Sequence, residues 1–287
     1  MIKAHYKKFF ISVKIFFAFS SFLPMLTLMK LQKYLAHAWV CSRRKAEEYI
    51  ERGLVSVNDV VAHIGQVIDP EKDVIKVDDR IIEDQQNLVY YIFHKPRGIV
   101  TTCLSGKDDE QGIMDIVNVP ERVFPIGRLD KETTGLIILT NDGRLSNYLM
   151  HPRYEHEKEY VVEVYGKIED SHLDAMRSWV RIELKDNGTR KRIIRRVWGE
   201  DKVITRKYTT KPCEITRLSS SKFSITIKEW KNRQIRRMVE AVWYDVKRLK
   251  RIRIESVHLG DLPDGQWRRM SQSEQADILK RIWETAE

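Results

Sequence analysis

PIGRLDKETTGLIILTNDG, residues 125 to 143, is the stretch on which the reading of this chain turns. The apolar run Gly135–Leu139 has the length and β-branched content of a buried strand. Arg128 and Asp130 lie in the polar turn just before it. A charged side chain on a loop held against a rigid strand is well placed for catalysis. From these residues alone, a turn carrying a surface ion pair is an equally good account.

Working outward, strand-like runs recur at Leu88–His94, Tyr160–Tyr165, Ser224–Lys228 and Val246–Ile254. Helical patterns lie between them at Arg144–Met150, Asp170–Trp179 and Arg233–Trp243. Strands and helices without regular alternation predict an α+β domain on a mixed, largely antiparallel sheet, spanning 88–287. Upstream, residues 29–82 form a smaller module. Leu31, Tyr34, Leu35 and Ala38 recur at helical spacing, and Ser42 can cap a second helix, Arg43–Arg52, that stops at Gly53. Short strands follow at Leu54–Val57, Val60–Ala62 and Val74–Val77. Arg43, Arg44 and Lys45 crowd the start of the second helix, where side chains and free backbone N–H groups can both meet phosphate. Polar residues 83–87 read as a linker.

Residues 1–28 form an apolar extension behind Lys3, Lys7 and Lys8, interrupted by Lys14 and Pro24. They read as a signal or anchor, or as sequence upstream of a true start at Met25 or Met29. The helical module beginning at once at Leu31 favours the second reading, and with it a cytoplasmic protein.

The chain has 287 residues and a net charge of +10, which points to a polyanionic partner. The basicity is concentrated: Val180 to Ile254 holds 23 Lys and Arg against 8 Asp and Glu, so the remainder is net acidic. RKRIIRR (190–196) and KRLKRIR (247–253) stand out within it. The alternation of Leu249, Ile252 and Ile254 with charges in the second predicts a strand with one wet face. Cys41, Cys103 and Cys213 are widely spaced and predict no disulfide framework, and the eight histidines show no metal-ligand spacing. A metal site, a nucleotide fold and hydrolase or kinase motifs are not expected.

Two resemblances now enter. KYLAHAWVCSRRKAEEYIERGLVSVN (33–58) resembles the S4 RNA-binding domain. GRLDxxTxGLxxLTNDG, with HKPRGIVTT (94–102), EKEYVVEV (157–164) and NRQIRRM (232–238) in the same order, resembles the pseudouridine synthases, in the branch typified by the RsuA, RluB and RluF enzymes. That resemblance implies isomerisation of uridine to pseudouridine in ribosomal RNA, without metal or cofactor; a monomer is the default, since nothing in the sequence indicates an oligomer. It aligns Asp130 with the catalytic aspartate, Arg236 with its arginine partner, and Tyr160 with the tyrosine that stacks on the target base. Arg128 would fill the space left by the extruded nucleotide. Arg233 and Arg237 would contact RNA, and Lys95 and Lys158 would contact phosphate or support an ion pair. NRQIRRM looks more like the large-subunit RNA enzymes than the small-subunit ones. The alternatives are a catalytically silent ribosome-assembly factor of the same fold and a membrane-anchored RNA-binding protein.

Trp39, Trp179, Trp230 and Trp243 stand where such enzymes are expected to have glycine. Glycine there would serve tight turns or positive φ, so an indole would be strained or exposed. A genome reading UGA as glycine would account for all four, and UGG codons would remove that account. Trp230, beside NRQIRRM, is the departure expected to disturb the site most.

Overall fold

The computed structural model describes residues 28–38, 40–83, 87–102, 110–185, 195–197, 200–202 and 205–284. Residues 1–27 of the N-terminal extension, Trp39, linker residues 84–86, Cys103 and most of RKRIIRR lie outside them. The chain divides into two compact units between Asn87 and Leu88.

In the first unit, α1 (Leu31–His37) and α2 (Arg43–Glu51) pack on a four-stranded antiparallel sheet. The Ser42 hydroxyl caps α2 by accepting from the Lys45 N–H at 3.3 Å, which satisfies one of the helix's orphan donors. Strands β1 (Val55–Val57), β2 (Val60–Val61), β3 (Ile75–Val77) and β4 (Arg80–Ile81) run in the order β2-β1-β3-β4. Both hairpins turn on two residues of positive φ, Asn58-Asp59 and Asp78-Asp79. This is the turn geometry whose twist matches paired strands, and Asn and Asp tolerate it best among residues other than glycine. Leu31, Leu35, Ala46 and Ile50 close the core against Val55 and Ile75.

The second unit is built on β5 (Tyr90–Lys95), β6 (Thr134–Thr140), β7 (Lys158–Val164), β8 (Glu214–Arg217), β9 (Lys222–Ile227), β10 (Val246–Ile254) and β11 (Trp267–Arg269). Their order across the sheet is β8-β9-β7-β10-β6-β5-β11. Only the β10–β6 pair is parallel; the other neighbours are antiparallel. The sequence stretches YYIF and LIIL show no polar alternation because this part of the sheet is covered on both faces. Tyr91, Phe93, Ile137 and Leu139 enter one core with Ile113, Leu173 and Met238, from α3 (Ile113–Ile116), α5 (Asp170–Ser178) and α6 (Gln234–Ala241). Ile92, Leu136 and Ile138 enter the other, with Leu145 of α4 (Gly143–Met150) and Ile278 of α7 (Gln272–Glu284). Strands β8 and β11, helix α7 and the Arg181–Lys185/Thr205–Thr209 pair were not anticipated, because their segments are polar or lack clear periodicity.

The wet-face expectation for 247–253 fails. β10 lies inside the sheet, and its register shifts opposite Glu159/Tyr160. The bulge breaks the period of two, so Arg251 is fully buried while Ile252 is half-buried. Lys247 pairs with Glu163 at 2.8 Å, and Arg253 with Glu159 and Glu157 at 2.8 and 3.1 Å. Of this run's charges, Arg251 is thus enclosed and Lys247 and Arg253 are engaged by carboxylates of β7 and the residue before it.

The tryptophans differ among themselves. Trp243 is 91% exposed with φ +67°, so its site does call for glycine. Trp179 is extended, with φ −174°, and any residue adopts that backbone. Trp230 is not in the left-handed region; its indole packs into the site described next.

Candidate active site

The turn before β6 is held on every side. Phe124–Pro125 pairs with the end of β6, and Ile126 donates to the Ile138 carbonyl at 2.8 Å. Thr101 clamps Leu129 twice, accepting from its N–H at 3.2 Å and donating to its carbonyl at 2.9 Å. Gly98 N–H donates to the Lys131 carbonyl at 2.9 Å, and Thr133 N–H closes a turn onto the Asp130 carbonyl at 3.0 Å. Lys95 completes the frame. Its side chain is fully buried, and Nζ donates to the carbonyls of Pro96, Lys131 and Thr133 at 3.0, 3.2 and 2.9 Å. Burial pushes this amine down to about 8, while the charges of Asp130 and Glu132 oppose the shift. With all three of its donors engaged by carbonyls, Lys95 has none left for the RNA phosphate that the sequence reading allowed. It is a buried cation holding the turn that carries Asp130.

The direct ion pair to Asp130 comes from Arg233, with Nη1 3.7 Å from Oδ2, and not from Arg236 as expected. Arg233 opens α6 in a left-handed conformation, φ +52°, which places its side chain outside the helix beside the turn. Arg236 is buried one turn further on. Its Nη2 donates to the Glu132 carbonyl at 3.3 Å and to Thr133 Oγ1 at 3.4 Å. Burial and the neighbouring Arg233 lower its pKa, and Asp130 opposes them. It therefore lies within the field of the carboxylate while bonding to the backbone behind it. Arg237 donates to Asn232 Oδ1 at 3.1 Å. Arg128 is exposed and makes no hydrogen bond or ion pair to another described residue.

Register brings Tyr160 to the same end of the sheet. Lys95 faces Gly135, Gly135 faces Arg251, and Arg251 faces Tyr160, across four strands. Gly135 has φ +110°, and a Cβ there would come within 2.2 Å of the Arg251 carbonyl oxygen. Only glycine permits the β6–β10 approach at this point. Tyr160 is buried, as is Lys158 two residues before it. Lys158 Nζ lies 4.6 Å from the Trp230 ring, and that ring rests against Gly127 of the Asp130 turn.

Most of the chain that carries these residues is similar to known proteins. The family model for RNA pseudouridylate synthase matches residues 89–241, and that for the S4 domain matches 29–81. The chain is 40% identical over 256 residues to the dual-specificity RNA pseudouridine synthase RluF of Escherichia coli (strain K12), covering 88% of this chain and 79% of that protein. This chain is an RNA pseudouridine synthase with an S4 domain. It is also 37% identical over 244 residues to ribosomal large subunit pseudouridine synthase B of Bacillus subtilis (strain 168), covering 81% of this chain and 90% of that one. Among solved structures it is similar to a crystal structure of a pseudouridylate synthase, at 26% identity and TM-score 0.57, over 87% of this chain and 99% of the other.

The synthase's S4 domain presents Arg43, Arg44 and Lys45 as exposed side chains on α2. Lys45 is held by Glu48 at 2.5 Å, so Arg43 and Arg44 are the freer cations. In the catalytic unit, sequence reasoning gave no individual role to Thr101, Gly127, Gly135 or Arg251. HKPRGIVTT and the RLD segment were both recognised, but nothing in them says that Thr101 bonds Leu129. Arg251 was hidden in a basic run that looked solvated. Among the described residues, no helix is long and apolar enough to cross a membrane.

Proposed function

We propose that this synthase converts one or more uridines of large-subunit ribosomal RNA to pseudouridine in the cytoplasm, acting as a monomer, with Asp130 as the catalytic group. The observation that carries the assignment of Asp130 is its position: a carboxylate on a turn pinned by Thr101 and Lys95, beside Arg233 and in the field of Arg236. The reaction breaks the N1–C1′ glycosidic bond, rotates the uracil and rejoins it through C5. An ionised carboxylate next to the ribose can add to C1′ or take a proton from C2′. Both routes need the charged form of the carboxylate. Since the product is an isomer of the substrate, no external oxidant, reductant or phosphoryl donor enters the balance. Tyr160 stacks on the target base and Arg128, exposed and uncommitted, takes the place of the extruded nucleotide. Residues 83–87 link the two units, and Arg43 and Arg44 of the S4 domain add phosphate contacts that fix the strand without reading it. The B-type relatives, named as ribosomal large subunit pseudouridine synthases, support the large-subunit target.

The test is pseudouridine mapping on ribosomal RNA incubated with the parent enzyme and with Asp130→Asn. Modification at a defined large-subunit site with the parent alone is the expected result. Modification that survives Asp130→Asn would overturn the role of the residue. Modification confined to small-subunit RNA would overturn the substrate.

A further inference from the structure

Behind the Asp130 turn lies a pair of buried cations: Lys158, which the resemblance implies contacts phosphate or supports an ion pair, and Arg251, to which it gives no role. Lys158 and Arg251 are 6% and 0% exposed, and the charge of Arg251 adds to burial in disfavouring that of Lys158. Arg251 Nε donates to the Leu136 carbonyl at 2.8 Å, but Nη1 and Nη2 are buried with no hydrogen-bond partner. Lys158 Nζ has one weak contact, to the His156 carbonyl at 3.3 Å. The carboxylate that favours its charge, Glu255, is already engaged by His156, the Glu157 N–H and Arg281. Two buried positive charges without a counter-anion are unfavourable for folding. A pair retained at such a cost implies a use for the charge.

What covers the pair is Trp230. Its ring lies 4.6 Å from Lys158 Nζ and 5.8 Å from the Arg251 guanidinium carbon. The ring face is the weak electrostatic partner that an aromatic offers a cation. Trp230 itself is 38% exposed and lies on the irregular segment between β9 and α6, so the indole is the layer between these cations and solvent. Its outer edge touches Gly127, three residues before Asp130. Arg251 is the register partner of Tyr160. An anion replacing the indole would therefore sit beside a nucleotide held between Asp130 and Tyr160. The anion that RNA supplies at that position is its own backbone.

We propose that Lys158 and Arg251 form a buried subsite for an RNA phosphodiester next to the target uridine, and that the Trp230 indole covers it until the strand enters. The proposal rests on the assignment of Asp130 as the catalytic group. It adds Arg251 as a binding residue and Trp230 as a cover that lowers affinity for substrate.

The test uses the full chain and a ribosomal RNA stem-loop containing the mapped uridine. Lys158→Met should reduce the slope of log affinity against log salt by about 0.7 to 0.9, the loss of one phosphate contact. It should raise KM roughly tenfold, the equivalent of one charged contact, with kcat much less affected, and Lys158→Arg should restore the slope. Because it removes an uncompensated buried charge, Lys158→Met should melt no lower than the parent. Trp230→Gly should lower KM by uncovering the pair. Replacing the loop phosphodiesters one at a time by uncharged methylphosphonates should reveal one linkage that weakens binding to the parent but not to Lys158→Met. An unchanged salt slope in Lys158→Met, additive losses at every linkage, or weaker binding by Trp230→Gly would each overturn the subsite. The failures are distinguishable: if the parent forms no pseudouridine the proposed function falls, whereas a working parent with an unaltered Lys158→Met slope removes the subsite alone.

Discussion

Replacing Trp243 by glycine should make this enzyme more stable, although it deletes the largest side chain available. Helix α6 ends in a Schellman arrangement: Trp243 N–H donates to the Glu240 carbonyl at 3.1 Å and Tyr244 N–H to the Val239 carbonyl at 3.1 Å. That motif puts the residue after the C-cap into the left-handed region, where glycine is the usual occupant. Trp243 sits there at φ +67°. The left-handed backbone costs a residue with a Cβ about 1–2 kcal/mol. Glycine recovers that but loses roughly 0.5–1 kcal/mol through its freer unfolded chain. With the indole 91% exposed, little packing is given up. The net gain is about 0.5–1 kcal/mol, or a Tm increase of about 1–4 °C for a domain of this size. Thermal melts by circular dichroism, with calorimetry as a check, read this directly. Trp243→Ala keeps the Cβ and should gain nothing comparable. Trp179→Gly, at an extended position, should lose stability, since glycine there only loosens the unfolded chain. A lower Tm for Trp243→Gly, or an equal gain for Trp243→Ala, would refute the argument from backbone strain.

Activity and stability should separate as pH is raised. The Lys95 amine is pushed down to about 8 in the folded enzyme, below its unfolded value of roughly 10.4. Between those limits the unfolded chain binds more protons, so this group's contribution to stability rises with pH. Turnover should nevertheless fall through pH 8, as the ammonium loses a donor to the Asp130 turn; a flat kcat from pH 7 to 10 would count against that role. Lys158→Met should leave this fall in place, which assigns it to Lys95 rather than to the second buried lysine. Arg236→Ala should reduce single-turnover rates by about a hundredfold, because it frees the backbone behind Asp130 and lets the carboxylate drift. Arg233→Ala, losing only a half-exposed pair at 3.7 Å, should cost less than tenfold; the reverse order would make Arg233 the principal partner.

The S4 module was legible from residues 33–58, the α+β class from the order of strand and helix patterns, and the reaction from four ordered motifs, and short-range chemistry explains why. A turn, a cap and a buried strand are properties of a few adjacent residues. Ser42 caps α2 as its position implies, and LIIL became a strand buried on both faces. What the sequence could not determine depends on which residues meet across strands. Arg233 and Arg236 are three positions apart in one motif. Only the left-handed start of α6 decides that the first pairs with Asp130 and the second bonds the loop behind it. Lys95 reads as a surface lysine until the fold surrounds it with three carbonyls. Arg251 looks solvated within KRLKRIR, and a register shift in β10 buries it. Local pattern thus determined the central elements, the family and the residue types the reaction needs. Burial, pairing and the meaning of each positive charge were decided by tertiary packing, because a charge has no fixed value until the fold sets its solvent and its neighbours.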